Sequence, residues 1–236
     1  KDVPIYAHSD SIYRLKRDKE YFVLRVEFYQ QLYKEMGCGD FGARQIEKLI
    51  KLMKKNENNV IQSDITPIKE LDKISGLTVF ETPGHSPDHI VFLDEKRKRL
   101  FSGDHLVGHI SSNAIVEPDR NGRRIQTLRQ YVHSLQKCSN LDIEIVYPGH
   151  GELIENPKEL FNYRIDRIHQ KSNQILALIK DRFTTGSQLA QAFYKDKYNS
   201  EFALVMSEII GHMDYLESNN KVIKEKKDGV WHYSEL

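Results

Sequence analysis

Cysteine is almost missing from this chain: only Cys38 and Cys138 occur in 236 residues, far apart and in no CxxC pair. That spacing excludes a disulfide-framed fold or a zinc ribbon, and the two read as reduced thiols of a cytoplasmic protein. No stretch approaches the ~18 consecutive apolar residues of a membrane span, and the first residues hold no apolar signal core. An excess of one charge is also lacking. Against 35 Lys and Arg stand 34 Asp and Glu, a formal net charge of +1. This excludes a global electrostatic drive toward nucleic acid or an anionic membrane, and leaves only a local patch to consider. What is present is 39% hydrophobic and 29% charged residues, the balance of a globular protein with enough apolar side chains for a core. The length suits one large or two small domains.

Three short motifs stand out between Thr82 and Gly151. They read Thr82-Pro83-Gly84-His85-Ser86-Pro87-Asp88-His89, then Phe101-Ser102-Gly103-Asp104-His105, then Val146-Tyr147-Pro148-Gly149-His150-Gly151. Each sets a His or Asp in a Gly-containing turn beside an apolar run that reads as a strand: Leu77 to Phe80, Ile90 to Leu93, Arg99 to Phe101 and Ile143 to Tyr147. Loops held at strand ends by a rigid sheet are where reactive side chains usually sit. Imidazole and carboxylate ligate zinc and similar divalent ions, so the candidate ligands are His85, Asp104 and His150.

In order and wording these motifs resemble the second half of the metallo-beta-lactamase superfamily, with its PGH histidine, SGD aspartate and final PGHG histidine. The resemblance implies an α/β fold, the αββα sandwich of that superfamily, holding two divalent metal ions, expected to be zinc. It implies that His85 binds one metal, Asp104 bridges two and His150 binds the second. The superfamily signature HxHxDH does not occur in this sequence. Residues 1–15 look like the strand and helix that follow it in family members, so the expectation is a family member lacking its N-terminal part and most of its ligands. His89 lies four residues after His85, but Pro83 and Pro87 oppose a helix there. In the family the second histidine orders the loop, and Asp88 stands where a Gly is usual. His105 and His109 read as neighbours of the ligands or plain loop residues.

Taken in order, Val3 to Ala7 reads as a strand and His8 as a loop residue. Lys19 to Met36 and Phe41 to Met53 read as helices, the first closed by Gly37-Cys38-Gly39; their aromatic-rich faces read as packing surface rather than as a pocket wall. Asn56 to Asn59 and Ser63 to Pro67 read as polar connections. Ser111-Ser112-Asn113 could donate hydrogen bonds to a substrate oxygen. A helix spans residues 125–138, with His133 toward solvent. After Pro157 the composition turns helical: Lys158 to Arg182, Ser187 to Tyr194, and Glu201 to Glu217 with Phe202, Val205, Met206, Ile209, Ile210, Met213 and Leu216 on one stripe. His212 beside that stripe reads as a packing histidine. Two strands around Asp228-Gly229 carry a hairpin signal. Helices followed by a hairpin look like a winged helix, so the expected domains are 1–157, metallo-beta-lactamase-like, and 158–236, winged-helix-like.

Three functions follow as expectations. One is hydrolysis of a small-molecule ester, thioester, lactam or phosphodiester by metal-activated water, with no protein nucleophile. The alternative is nucleic-acid binding or nuclease chemistry through the C-terminal module, whose wing carries Lys221, Lys224, Lys226 and Lys227 against Glu217, Glu225 and Asp228. The third is that this chain is a silent fragment whose exposed sheet predicts association with a second chain.

Overall fold

The computed structural model describes residues 3–236; Lys1 and Asp2, the first residues of the 1–15 stretch likened to a family strand and helix, lie outside it. The chain opens with β1 (Ile5–His8), α1 (Ile12–Leu15), α2 (Lys19–Glu35) and α3 (Gly39–Lys55). Next come β2 (Ile65–Ile68), β3 (Lys73–Ile74), β4 (Leu77–Glu81), β5 (Ile90–Asp94) and β6 (Arg99–Gly103). After α4 (Thr127–Ser139), β7 (Ile145–Pro148) and β8 (Ile154–Glu155) follow α5 (Pro157–Lys180), α6 (Gly186–Tyr194), α7 (Lys197–Ser200) and α8 (Phe202–Ser218). The hairpin β9 (Val222–Lys227) and β10 (Val230–Glu235) ends the chain.

Local chemistry sets several of these boundaries. The Asp18 carboxylate accepts the Tyr21 N–H at 2.8 Å and starts α2, while Gly37, at φ +73°, takes the left-handed turn that ends it. Thr185 and Gln188 form a reciprocal capping box at the start of α6. Asp228 and Gly229, at φ +49° and +81°, supply the two positive angles of the hairpin turn.

The chain folds as two compact units, each discontinuous in sequence. The first unit takes residues 3–16, Ile61–Ala114 and Thr127–Ile168. Its sheet has the order β3-β4-β5-β6-β7-β8, antiparallel except between β6 and β7, which run parallel. Alternation along the strands puts Val91, Leu93, Leu100 and Val146 on one face, all buried; Leu128, Tyr131 and Leu135 of α4 and Phe161 of α5 are buried in the same unit. The other face carries Phe92, Phe101 and Tyr147; the rings of Phe101 and Tyr147 stack at 5.1 Å and Phe101 is 41% exposed. Among the described residues the second sheet of the expected sandwich is present as the two-stranded parallel pair β1-β2.

The second unit takes Arg17–Val60, Ile115–Gln126 and His169–Leu236. Its core joins Tyr29, Leu32, Tyr33 and Met36 of α2 with Val116, Ile175, Leu189, Met206, Ile209 and Ile210. Each fully buried aliphatic side chain there contributes roughly 1.5–3 kcal/mol, which is why α2 and α3 serve as packing surface.

Two expectations change. A boundary at 157 does not separate these units, because α5 runs through it and residues 17–60 belong to the same core as the C-terminal helices. Ser63 to Pro67, read as a connection, holds strand β2: Ile65 pairs with Ile5 and Pro67 with Ala7, on a two-stranded sheet whose edge tolerates a proline. No described helix is long and apolar enough to cross a membrane.

Candidate metal centre

His85 follows β4 by way of Pro83 and Gly84. A Cβ on Gly84 would overlap the Cβ of Tyr131, and the residue has φ +146°, so glycine alone lets this turn lie flat on α4. From the same helix the Ser134 hydroxyl donates to the Pro83 carbonyl at 2.8 Å. Asp104 follows β6, where Gly103 turns into the left-handed region at φ +50° and the pairing with β7 shifts register. His150 follows β7, and the Gly149 N–H donates to the Gly103 carbonyl at 2.8 Å, which sets the last loop beside the Asp104 turn. A Cβ on Gly149 would stand 3.0 Å from Oδ1 of Asp104.

The three candidate ligands meet. Nε2 of His85 is 3.5 Å from Oδ2 of Asp104, and Nε2 of His150 is 3.5 Å from Oδ1. Nδ1 of His85 lies 2.9 Å from the Asn113 carbonyl, which can only accept, so Nδ1 carries a proton and Nε2 is the ring nitrogen turned toward Asp104. That nitrogen faces a carboxylate oxygen across a gap too long for a strong hydrogen bond. Imidazole with carboxylate is a donor set for zinc-like ions. No three His, Cys, Asp or Glu side chains among the described residues enclose a single ion unaided. The two imidazoles sit on different oxygens of Asp104.

The neighbours take other roles. Nδ1 of His89 is 2.8 Å from the Thr82 hydroxyl; burial, with the nearby His85, lowers its pKa to about 4, so it is a neutral loop-ordering residue. Asp88 is buried. Burial by itself would raise its carboxyl, but the Arg14 guanidinium and the Ser11 hydroxyl hold it well below the usual carboxylate range. The sequence marked Asp88 only as a departure from the family; its partners lie over seventy positions away in the chain. His105 is fully buried, its ring edge-on to Tyr131 at 5.6 Å, and burial takes its pKa to about 3. A loop role for it is thus replaced by packing. His109 is exposed, and Gly151 leaves room for its ring, a Cβ there falling 2.8 Å from Nδ1. Of the Ser111-Ser112-Asn113 stretch, the Ser112 hydroxyl donates to the Asp104 carbonyl and the Asn113 backbone carbonyl accepts from His85, while Ser111 is exposed.

Residues 54–150 match the model of the metallo-beta-lactamase superfamily. The chain is 31% identical to the "Probable metallo-hydrolase YqjP" of Bacillus subtilis over 94% of its own length and 70% of that protein. It is 34% identical to an "Atrochrysone carboxyl ACP thioesterase" of Aspergillus fumigatus, over 42% of this chain and 28% of that one. Among solved structures, a metallo-beta-lactamase family protein of Thermus thermophilus superposes with a TM-score of 0.78 at 19% identity, covering 99% of this chain and 72% of that one. A beta-lactamase domain protein of Burkholderia ambifaria superposes at 0.73 and 18% identity, covering 100% and 67%.

Proposed function

The chain belongs to the metallo-beta-lactamase superfamily, and from that premise we propose that it contributes His85, Asp104 and His150 to a two-metal hydrolase centre acting on a small molecule. One observation carries the reading: the two oxygens of Asp104 each face one imidazole Nε2 at 3.5 Å, an arrangement in which one carboxylate could serve two ions. Divalent ions, zinc by donor chemistry, supply water acidic enough to ionise near neutral pH and charge to oppose a developing oxyanion. The residues around them do the rest. The Asn113 carbonyl holds the His85 proton on Nδ1 and keeps Nε2 aimed inward. Gly149 admits the Asp104 carboxylate where any side chain would crowd it.

The substrate class is an ester, thioester, lactam or phosphodiester; the fungal thioesterase relative brings the thioester forward. Residues 1–236 carry no HxHxDH, so on this reading they hold one half of the ligand set and show no turnover by themselves. The C-terminal helices with β9 and β10 we read as winged-helix-like. Nucleic-acid binding by that module is the weaker reading. Lys224 pairs with Glu217 at 2.7 Å, Lys226 with Glu35 at 2.6 Å and Lys227 with Glu225 at 3.1 Å, so little cationic charge remains for phosphate. Gln188 is spent on the capping box, and the Gln191 amide donates to the Ser187 hydroxyl.

Elemental analysis after dialysis against metal-free buffer tests the centre. Zinc near one or two per chain, falling in His85→Ala, supports it; a ratio near zero in both sinks it for this chain.

A further inference from the structure

Four consecutive carbonyls in the turn that carries Asp104 each have a different partner. The Ser102 carbonyl accepts from His105 N–H at 2.9 Å, and Gly103 from Gly149 N–H at 2.8 Å. The Asp104 carbonyl accepts from the Ser112 hydroxyl, and the His105 carbonyl from the Tyr131 hydroxyl at 2.8 Å. Such a turn is fixed peptide by peptide, and the last two of these partners are side chains from outside the turn. Tyr131 serves the fold at large, because it is also the floor on which Gly84 lies. The Ser112 hydroxyl also lies within hydrogen-bond reach of the Tyr131 side chain, so the two side-chain partners of the turn stand together. Ser112 is followed directly by Asn113, whose carbonyl accepts from Nδ1 of His85, and then by Ala114, which is buried.

From this we propose that Ser112 is a positioning residue that registers two candidate ligands to each other: its hydroxyl holds the Asp104 turn, while the next residue's carbonyl fixes the tautomer and direction of His85. One peptide unit, with χ1 and ψ of Ser112 and φ and ψ of Asn113, separates the two holds. A shift of Ser112 away from Asp104 carries the Asn113 carbonyl away from His85. The imidazole then loses the partner that keeps its proton on Nδ1 and reverts toward the Nε2-protonated form that free imidazole prefers, turning an N–H toward Asp104 instead of a lone pair. Partners of this kind, one step behind a ligand, set metal affinity by about 10- to 100-fold.

The proposal rests on the metal-centre reading for its affinity arm only. Two measurements on the full chain separate them: the ring 15N shifts of His85 in metal-free protein, and the Co²⁺ dissociation constant. Expected are an Nδ1-protonated His85 in the wild type, a move toward the Nε2-protonated form in Ser112→Ala, and Co²⁺ binding about 10- to 100-fold weaker in that variant. Ser112→Thr keeps the hydroxyl and restores both. A role in folding alone would lower the melting temperature while leaving the 15N pattern of the folded variant unchanged. Ser112→Ala with wild-type shifts and wild-type Co²⁺ affinity overturns the proposal. Should that variant not fold, Ser112→Cys, with its weak donor, is expected to fall between wild type and the loss; identity with wild type in both readouts overturns it equally. A wild type that binds no Co²⁺ would refute the metal centre while the 15N arm still decides the role of Ser112.

Discussion

His89, His105 and His212 are all held neutral by burial, at about 4, 3 and 4, yet they do three different things. His89 orders a ligand loop, His105 fills an aromatic pocket, and His212 sits in α8 with Nδ1 2.8 Å from the Ser172 hydroxyl. The family resemblance pointed to the first role. Only the last was legible from the residue pattern itself, because a histidine beside a stripe at helical spacing can be placed without knowing the rest of the fold. His212 also gives a pH dependence. Its folded pKa lies below the ordinary value of 6.5, so below that pH the unfolded chain binds a proton that the folded chain refuses. Stability is therefore expected to fall as pH drops from about 6.5 toward about 4, by up to about 1.4 kcal/mol per pH unit from this group. Denaturant melts across that window should show a shallower fall for His212→Asn; an identical slope would remove His212 from the account.

Between residues 111 and 126 the chain forms no helix and no regular strand, and its periodicity carried no signal, but side chains distant in sequence hold it. The Tyr29 hydroxyl donates to the Val116 carbonyl at 2.7 Å, and Nε of Arg25 donates to Glu117 at 2.7 Å with a second contact beside it. Glu117 is 3% exposed, so its charge depends on Arg25. Removing one partner of a buried pair leaves the other uncompensated. Glu117→Ala is expected to lose about 3–5 kcal/mol in equilibrium unfolding, and the double replacement of Arg25 and Glu117 by apolar residues much less. Equal losses in the two would mean that packing, not charge, accounts for the effect. Where an element has a repeat or an apolar run, as in the stripe of α8 or the run of β5, the sequence showed it. Where it is held by side chains some ninety positions away, nothing local could.

For the whole chain, the discontinuous units make a sharp prediction. Residues 158–236 expressed alone should be unfolded by near-UV circular dichroism, because Tyr29, Leu32, Tyr33 and Met36 of α2 belong to the core that those helices need. A cooperative melt of that fragment would restore a boundary at 157. The sheet face bearing Phe101 and Tyr147 is the other feature of this scale, and only the strand register brings these two rings together. The sequence by itself determined the family, the strands and turns that present His85, Asp104 and His150, and the helical character after Pro157. These are local signals: side-chain period, glycine and proline in turns, ligand-type residues at strand ends. Tertiary structure alone decided that the imidazoles share Asp104 one oxygen each, that Arg14 and Ser11 hold Asp88, and that α2 joins the C-terminal core. Such pairings are chosen by burial and charge compensation between segments distant in sequence, and no repeat within either segment encodes its partner.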